Sequence, residues 1–212
     1  MVMKHTFCLL ARLSTLLCFT DAVSATASPA PPAGAVFSAP ITKNGVVFEA
    51  WVSSHTITVP KDDRTFTLGL RITNHTRQPL RFSAYDDDMP FPKILASNGN
   101  MVKVNLSNAR KAMHGPETTD YLLATPGASV MITETGILTR NGKTSTLLSG
   151  DEIGPLWTCK LRAGNYRLLF HYYPRRPSVD PYVPSSKTLA HLKDLWTGAV
   201  KTNPVSFWLV NK

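Results

Sequence analysis

The strongest constraint on the fold of this chain is a strict alternation of apolar and polar residues. Phe66, Leu68, Leu70 and Ile72 stand at every second position, with small or polar residues between them. Successive side chains of a β-strand point to opposite faces, so the pattern predicts a strand with one face on a core and one towards water. The same period dominates from residue 41 onward, which predicts an all-β domain.

Asn-Gly pairs interrupt the apolar runs at positions 44–45, 98–99 and 141–142. Asn and Gly tolerate the positive φ angles of the tight turns that join antiparallel strands. The pairs therefore predict three hairpins and mainly antiparallel pairing. Short strands with such frequent turns favour a β-sandwich or a barrel.

The closing part of the chain carries a corner pattern with a known counterpart. Residues 161–168 read LRAGNYRL and resemble the L-x-x-G-x-Y-x-L corner of immunoglobulin-like and fibronectin-type sandwiches, where the tyrosine hydroxyl ties the strand back to the preceding corner. Other segments resemble, in the same order, passages of exported bacterial domains of this type: residues 70–82, 96–102, 125–129 and 196–207. There is also a faint similarity to the small proteinase-inhibitor sandwich typified by the bacillar intracellular proteinase inhibitor. The resemblance implies an antiparallel immunoglobulin-like β-sandwich, but binding and catalytic sites are grafted onto such folds and do not follow from it.

A seven-stranded sandwich of that type needs only ~100 residues, so the surplus is expected in inserts. We expect these at about 105–124, 149–156 and 174–195. The last insert carries a helical signal, because Leu189, Leu192 and Trp196 lie on one helical face behind a possible serine cap at 185–186. The sequence therefore predicts one short helix near 186–196.

The N-terminus has the layout of a secretory signal peptide. Lys4 and Arg12 supply positive charge, an apolar run follows at 13–19, and an Ala-Thr-Ala site ends at Ala27. The run is shorter than the ~18–20 residues that span a bilayer, so no transmembrane segment is expected in the mature chain. The predicted division is a signal peptide at 1–27, a Pro/Ala-rich tether at 28–34 and a single domain at 35–212, secreted or periplasmic.

The cysteine content and the net charge indicate whether disulfides can form and which partners are favoured. Cys159 is the only one of the three cysteines outside the predicted signal peptide, so the mature chain cannot form an internal disulfide. Cys159 is expected to be a small buried hydrophobe, with an intermolecular disulfide as the alternative. The net charge of +9 and a pI near 9.6 favour anionic partners, although a solvated basic surface would give the same composition.

The best candidate for a binding surface is the insert at 174–196 with its flanking residues. It combines aromatic faces with cations, a mixture suited to carbohydrate, peptide or phosphate contacts. The candidate ligand-binding residues are Tyr173, Arg175, Arg176, Tyr182, Lys187 and Trp196. The alternative is that prolines stiffen this connection while its aromatic side chains pack onto the sheet.

An acidic cluster supplies the one candidate metal site. Asp86, Asp87 and Asp88 could ligate calcium, which takes oxygen ligands from flexible loops. Consecutive residues of an extended segment point in alternating directions, so at most two could share an ion without a tight turn. The alternative is a solvated loop at a strand end.

Catalytic motifs are missing from the sequence. It contains no G-x-S-x-G elbow, H-E-x-x-H pair, C-x-x-C pair or glycine-rich phosphate loop. We therefore expect a non-enzymatic binding or accessory module without a cofactor. Its partner would be a protein or an anionic cell-surface polymer, with no specific nucleic-acid binding. The alternatives are a proteinase inhibitor presenting an extended loop and a hydrolase with no recognisable motif.

Overall fold

The structure is a computed structural model that describes residues 30–59, 64–84, 90–107, 115–141, 144–149 and 156–211. Within these ranges the chain forms strands, one 3-10 turn at Thr118–Asp120 and no α-helix. The strands are β1 (Val36–Phe37), β2 (Ile41–Lys43), β3 (Val46–Val52), β4 (Thr56–Val59), β5 (Arg64–Asn74), β6 (Leu80–Ser83), β7 (Phe91–Ala96), β8 (Val104–Ser107), β9 (Tyr121–Ala124), β10 (Ser129–Asn141), β11 (Thr144–Ser149), β12 (Leu156–Arg162), β13 (Gly164–Tyr172), β14 (Tyr182–Val183), β15 (Thr188–Leu189), β16 (Val200–Lys201) and β17 (Val205–Asn211). The prediction of an all-β chain is confirmed.

Sheet I contains β5, the strand with the alternating apolar and polar residues. Its order is β1-β3-β5-β10-β11-β12-β8, with β2 also pairing β3, and every pair is antiparallel. Phe66, Leu68, Leu70 and Ile72 of β5 are buried, as the period of two predicts. They form the inner face of this sheet.

Sheet II contains the closing strands. Strand β13 pairs antiparallel with β7 on one side and with β17 and β16 on the other, and β4 runs parallel to β17 at the edge. Tyr166, Leu168, Phe170 and Tyr172 alternate along β13 and are buried. Inner side chains of both sheets belong to one apolar cluster, so the two sheets enclose a common core.

The tyrosine at the start of β13 fastens the corner that precedes it. The Tyr166 hydroxyl accepts a hydrogen bond from the Arg162 amide and donates one to the Arg162 carbonyl, both at 2.9 Å. Two backbone groups at the end of β12 thereby obtain partners that no strand supplies. This is the contact implied by the resemblance for residues 161–168.

The Asn-Gly pairs behave as their positions predict, with differences in detail. Asn44 and Gly45 both have positive φ angles, 51° and 73°, and join β2 to β3 in a tight hairpin. Gly99 alone has positive φ in its turn, because the loop from 97 to 100 is longer; Leu95 bridges Met101 across it. Strands β10 and β11 pair as predicted, but the turn at 142–143 lies outside the described residues.

The predicted helix near 186–196 is wrong. Tyr182 and Val183 pair with Leu189 and Thr188 as a small antiparallel ribbon, and Val179 exchanges both backbone hydrogen bonds with Leu192. The amides that a helix would have used internally therefore bond across the insert. Leu189 is 71% exposed, so the apolar stripe that suggested a helix does not face the core as a unit.

The N-terminal predictions are only partly covered by the structure. Residues 1–29, including the proposed signal peptide, lie outside the described residues and remain a prediction. Residues 30–34 of the proposed tether lead into β1. In the part of the chain that the structure describes, no helix has the length and apolar character needed to cross a membrane.

Candidate functional site

The insert between β13 and β16 is a narrow segment whose two arms are joined by backbone hydrogen bonds. At its base the Leu195 amide donates to the Pro177 carbonyl at 3.2 Å. Further out come the Val179–Leu192 bridge and then the β14–β15 ribbon. Backbone pairing along its length means that the insert presents side chains from defined positions, as an irregular loop would not.

Contacts to neighbouring segments hold the insert against the domain. The Tyr182 amide donates to the Pro116 carbonyl at 2.8 Å, and the Trp196 amide donates to the Arg81 carbonyl at 2.9 Å. Tyr121, Val179 and Leu195 form a second small apolar cluster. The inserts at 105–124 and 174–195 therefore support each other, which no local sequence pattern indicated.

The candidate binding residues fall into two groups on this insert. Tyr173 is 52% exposed, and the Arg175 guanidinium lies over its ring at 5.0 Å from the centroid. Tyr182 is 38% exposed on the ribbon, and Lys187 is exposed in its turn with a φ of 55°. Arg176 is exposed next to Arg175. The structure brings Tyr173 and Arg175 together; Tyr182 and Lys187 lie further along the insert.

Trp196 does not belong to this surface. It is 4% exposed, its ring stacks on Tyr172 with centroids 5.7 Å apart, and it contacts Phe48 at 4.9 Å. Here the alternative expectation, that aromatic residues of the insert pack onto the sheet, describes the molecule. Gly198 accommodates the ring, because a Cβ there would lie only 3.0 Å from it.

The calcium hypothesis is not addressed by the structure. Asp86, Asp87 and Asp88 lie outside the described residues. Within the described ranges, no group of three or more His, Cys, Asp or Glu side chains could hold a metal ion.

Cys159 is fully buried on β12. Burial raises the pKa of its thiol to about 12, so the reactive thiolate is disfavoured at neutral pH. Its environment fits the expectation of a small buried hydrophobe.

A buried carboxylate on sheet I was missed by the sequence interpretation. Glu134 is 6% exposed and accepts a hydrogen bond from Trp157 Nε1 at 2.8 Å. Glu134 occupies the same alternating positions as Ile132 and Leu138. This period of two was the signal in the sequence that could have indicated its burial. The bond holds β10 to β12 through their inner side chains.

A basic face on sheet II was also missed. Arg167 and His171 alternate on the outer side of β13, while Lys93 on β7 and Lys201 on β16 are neighbours in register with Leu169 and His171. The cations come from three strands that are separated in sequence, so they do not form a run of basic residues that the sequence alone would reveal. A cleft of about 370 Å³ at the β7 edge continues this face and is lined by Phe91, Pro92, Lys93, Met101, Val102, Lys103 and Val104.

Comparison of the chain with protein-family models, with curated proteins and with solved structures found no match.

Proposed function

We propose that residues 35–212 form an immunoglobulin-like β-sandwich that acts as a non-enzymatic, secreted or periplasmic binding module. Two features support the fold assignment. One sheet contains β3-β5-β10 and the other β7-β13-β17, with β4 parallel to β17, and two packed sheets are the architecture of such sandwiches. The hydrogen bonds of Tyr166 to Arg162 correspond to the tyrosine corner.

The binding surface in this proposal is the end of the sandwich that carries the insert. Its main support is the Arg175–Tyr173 pair, an exposed cation and aromatic ring already in contact at 5.0 Å. Backbone hydrogen bonds hold the insert on both sides of Arg175 and Arg176, so little further order is lost when a ligand binds. An anionic surface ligand or an acidic protein patch complements these groups.

Retention on immobilised ligands tests this proposal. We expect the purified protein to bind an anionic polysaccharide matrix and not the matching neutral one. Replacing Arg175, Arg176 and Tyr182 by alanine should weaken retention about tenfold, because these side chains supply charge and aromatic contact. Unchanged retention of that variant would exclude the insert as the binding surface.

A control variant separates a site effect from a general loss of charge. Arg77 and Lys160 are exposed cations that do not belong to the insert. Replacing both by alanine removes the same number of positive charges, two, and should leave retention within about twofold, since charge outside a contact acts weakly at physiological salt.

A proteinase inhibitor is the second candidate function. The β14–β15 ribbon presents Leu189, 71% exposed, beside Lys187, and the ribbon is held at its base as an inhibitory loop must be. Inhibition assays against serine, cysteine and metalloproteinases test this possibility. Inhibition that disappears in a Lys187→Ala/Leu189→Ala variant would favour it over the binding module.

A further inference from the structure

The outer face of sheet II combines positive charge with a regular backbone. Arg167, His171, Lys93 and Lys201 lie on this side of β7, β13 and β16, and Trp208 on β17 is 45% exposed. Alternate residues of a strand are ~6–7 Å apart and neighbouring strands are ~5 Å apart. The cations therefore form a compact, two-dimensional array.

Compensating charge is absent from the strands of this sheet. The described acidic residues all belong to other segments: Glu49, Glu117, Asp120, Glu134, Asp180 and Asp194. Neither Lys93, Arg167 nor Lys201 forms an ion pair among the described residues. Positive charges held close together without partners raise the free energy of the unliganded protein and favour binding of an anion.

His171 lies beside two of these cations: Lys201 is its register partner, and Lys93 pairs with the preceding outward residue, Leu169. Its Nε2 atom is shielded from solvent and has no hydrogen-bond partner among the described residues. Desolvation lowers the pKa of His171, and the positive charges of Lys93 and Lys201 lower it further. A bound anion would offset these effects and allow the imidazole to take up a proton.

The shape of the face narrows the class of ligand. Leu169 lies between Arg167 and His171 and is 4% exposed, so it presents little hydrocarbon among the cations. The apolar side chains of the face lie instead in the cleft at the β7 edge. The exposed aromatic rings, Tyr173 and Trp208, stand at opposite ends, ~27 Å apart along the strand. Consecutive bases of a nucleic acid stack on aromatic rings that lie next to each other. Tyr173 and Trp208 are too far apart to bind consecutive bases in this way.

We propose that the outer face of sheet II binds an extended acidic polysaccharide, whose carboxylate or sulfate groups contact Lys93, Arg167 and Lys201. Trp208 and Tyr173 would contact sugar rings at the two ends. The inference rests on the proposed function, an exported binding module, and specifies its ligand. It also extends the contact surface beyond the insert, since Tyr173 with Arg175 adjoins this face at the end of β13.

Calorimetric titration of the full chain with polygalacturonate and with heparin, using dextran as the neutral control, tests the inference. The key variant is Lys93→Gln/Arg167→Gln/Lys201→Gln, which removes charge but keeps polar side chains, with its melting temperature checked first. We expect at least tenfold weaker binding to an acidic polysaccharide. The slope of log K against log salt should also fall in magnitude by about 2–3, because fewer counterions are released.

A matched variant, Lys43→Gln/Arg77→Gln/Lys160→Gln, removes three exposed cations that lie outside the strands of sheet II and should bind like the wild type. The pH provides a second readout. Affinity should rise between pH 7.5 and 5.5, and this rise should be smaller in a His171→Gln variant. An equal pH response in both proteins would remove His171 from the site.

The outcomes separate this inference from the proposed function. Loss of binding in the sheet variant, alone or together with the insert variant, supports the inference. Loss in the insert variant only overturns the inference and leaves the proposed function in place. Loss in neither variant overturns the inference and leaves the proposed function in place. No binding to either polysaccharide overturns the inference and also contradicts the polysaccharide retention expected for the proposed function. Tighter binding to a dT20 oligonucleotide or to phosphatidylglycerol vesicles than to both polysaccharides also overturns it.

Discussion

The central strands of the two sheets differ in how their outward-facing arginines are paired. On sheet I, Arg71 makes two 2.8 Å hydrogen bonds to Glu49 and lies 3.9 Å from the ring centroid of Phe37. On sheet II, Lys93, Arg167 and Lys201 have no acidic partner among the described residues. The outward-facing cations of the two central strands, Arg71 on β5 and Arg167 on β13, therefore differ in whether they have an acidic partner.

The two outer faces also differ in how far other segments of the chain cover their tryptophan side chains. Residues 36–37 pair with β3, and Trp51 on the outer side of that strand is only 1% exposed. Pro31 and Pro32 also approach Trp51 along a cleft of about 240 Å³. Trp208 on sheet II is 45% exposed. The outer side of β3 and β5 is thus covered by other residues of the chain, whereas Trp208 on sheet II is not covered in this way.

The largest expected effect concerns the covered face of sheet I. A Cβ on Gly69 would lie 2.3 Å from the Ile132 carbonyl oxygen and 2.6 Å from Trp51 Nε1. Because backbone or a buried indole must then move, Gly69→Ala should destabilise the protein by about 3 kcal/mol. Urea unfolding checks this, with Gly115→Ala as control, since no described atom lies within 4 Å of that Cβ position. Equal stabilities would show that Trp51 is not closely packed there.

Arginine substitutions compare the two faces directly. Arg71→Ala should cost about 1 kcal/mol of stability, because it removes a partly buried bidentate ion pair and leaves Glu49 without its partner. Arg167→Ala should change stability by less than about 0.5 kcal/mol, as is usual for surface substitutions without a specific partner. Chemical denaturation of both variants measures the difference. A larger loss for Arg167→Ala would mean that the basic face has a structural role.

The smallest expected effect is a pH dependence of stability. The pKa of His171 is lowered in the folded protein, so below pH ~6.5 the unfolded chain binds the additional proton. Stability should therefore fall as the pH drops through the window between 6.5 and the lowered pKa, and less so in His171→Gln. In a Lys93→Gln/Lys201→Gln variant, an NMR titration should give a higher His171 pKa. An unchanged value would mean that burial alone is responsible.

Strand positions were largely predictable because each depends on a local period. The alternation at 66–72 and the Asn44-Gly45 turn needed no distant contact to be interpreted. The helix near 186–196 was predicted wrongly for the opposite reason. Its backbone groups bond to residues on the other arm of the insert, as Leu192 does with Val179, and helical spacing in one segment cannot reveal such a partner.

The candidate site was predictable only in part. Exposed cations and tyrosines of the insert could be selected by composition, but Trp196 could not be separated from them, because its burial depends on Phe48 and Tyr172 from other strands. Glu134 has the period of a core residue, yet its partner Trp157 lies on another strand. Pairing of distant residues was the missing information in each case.

The amino-acid sequence by itself determined the all-β class, the alternating inner faces and the strongly basic balance, since these follow from residue types and short-range spacing. Tertiary structure alone decided which cations were neutralised. Arg71 meets Glu49 because β3 and β5 pair in that register, whereas Lys93, Arg167 and Lys201 converge because β7, β13, β16 and β17 are joined in one sheet. Electrostatic interaction depends on distance in space, and only the folded chain sets that distance.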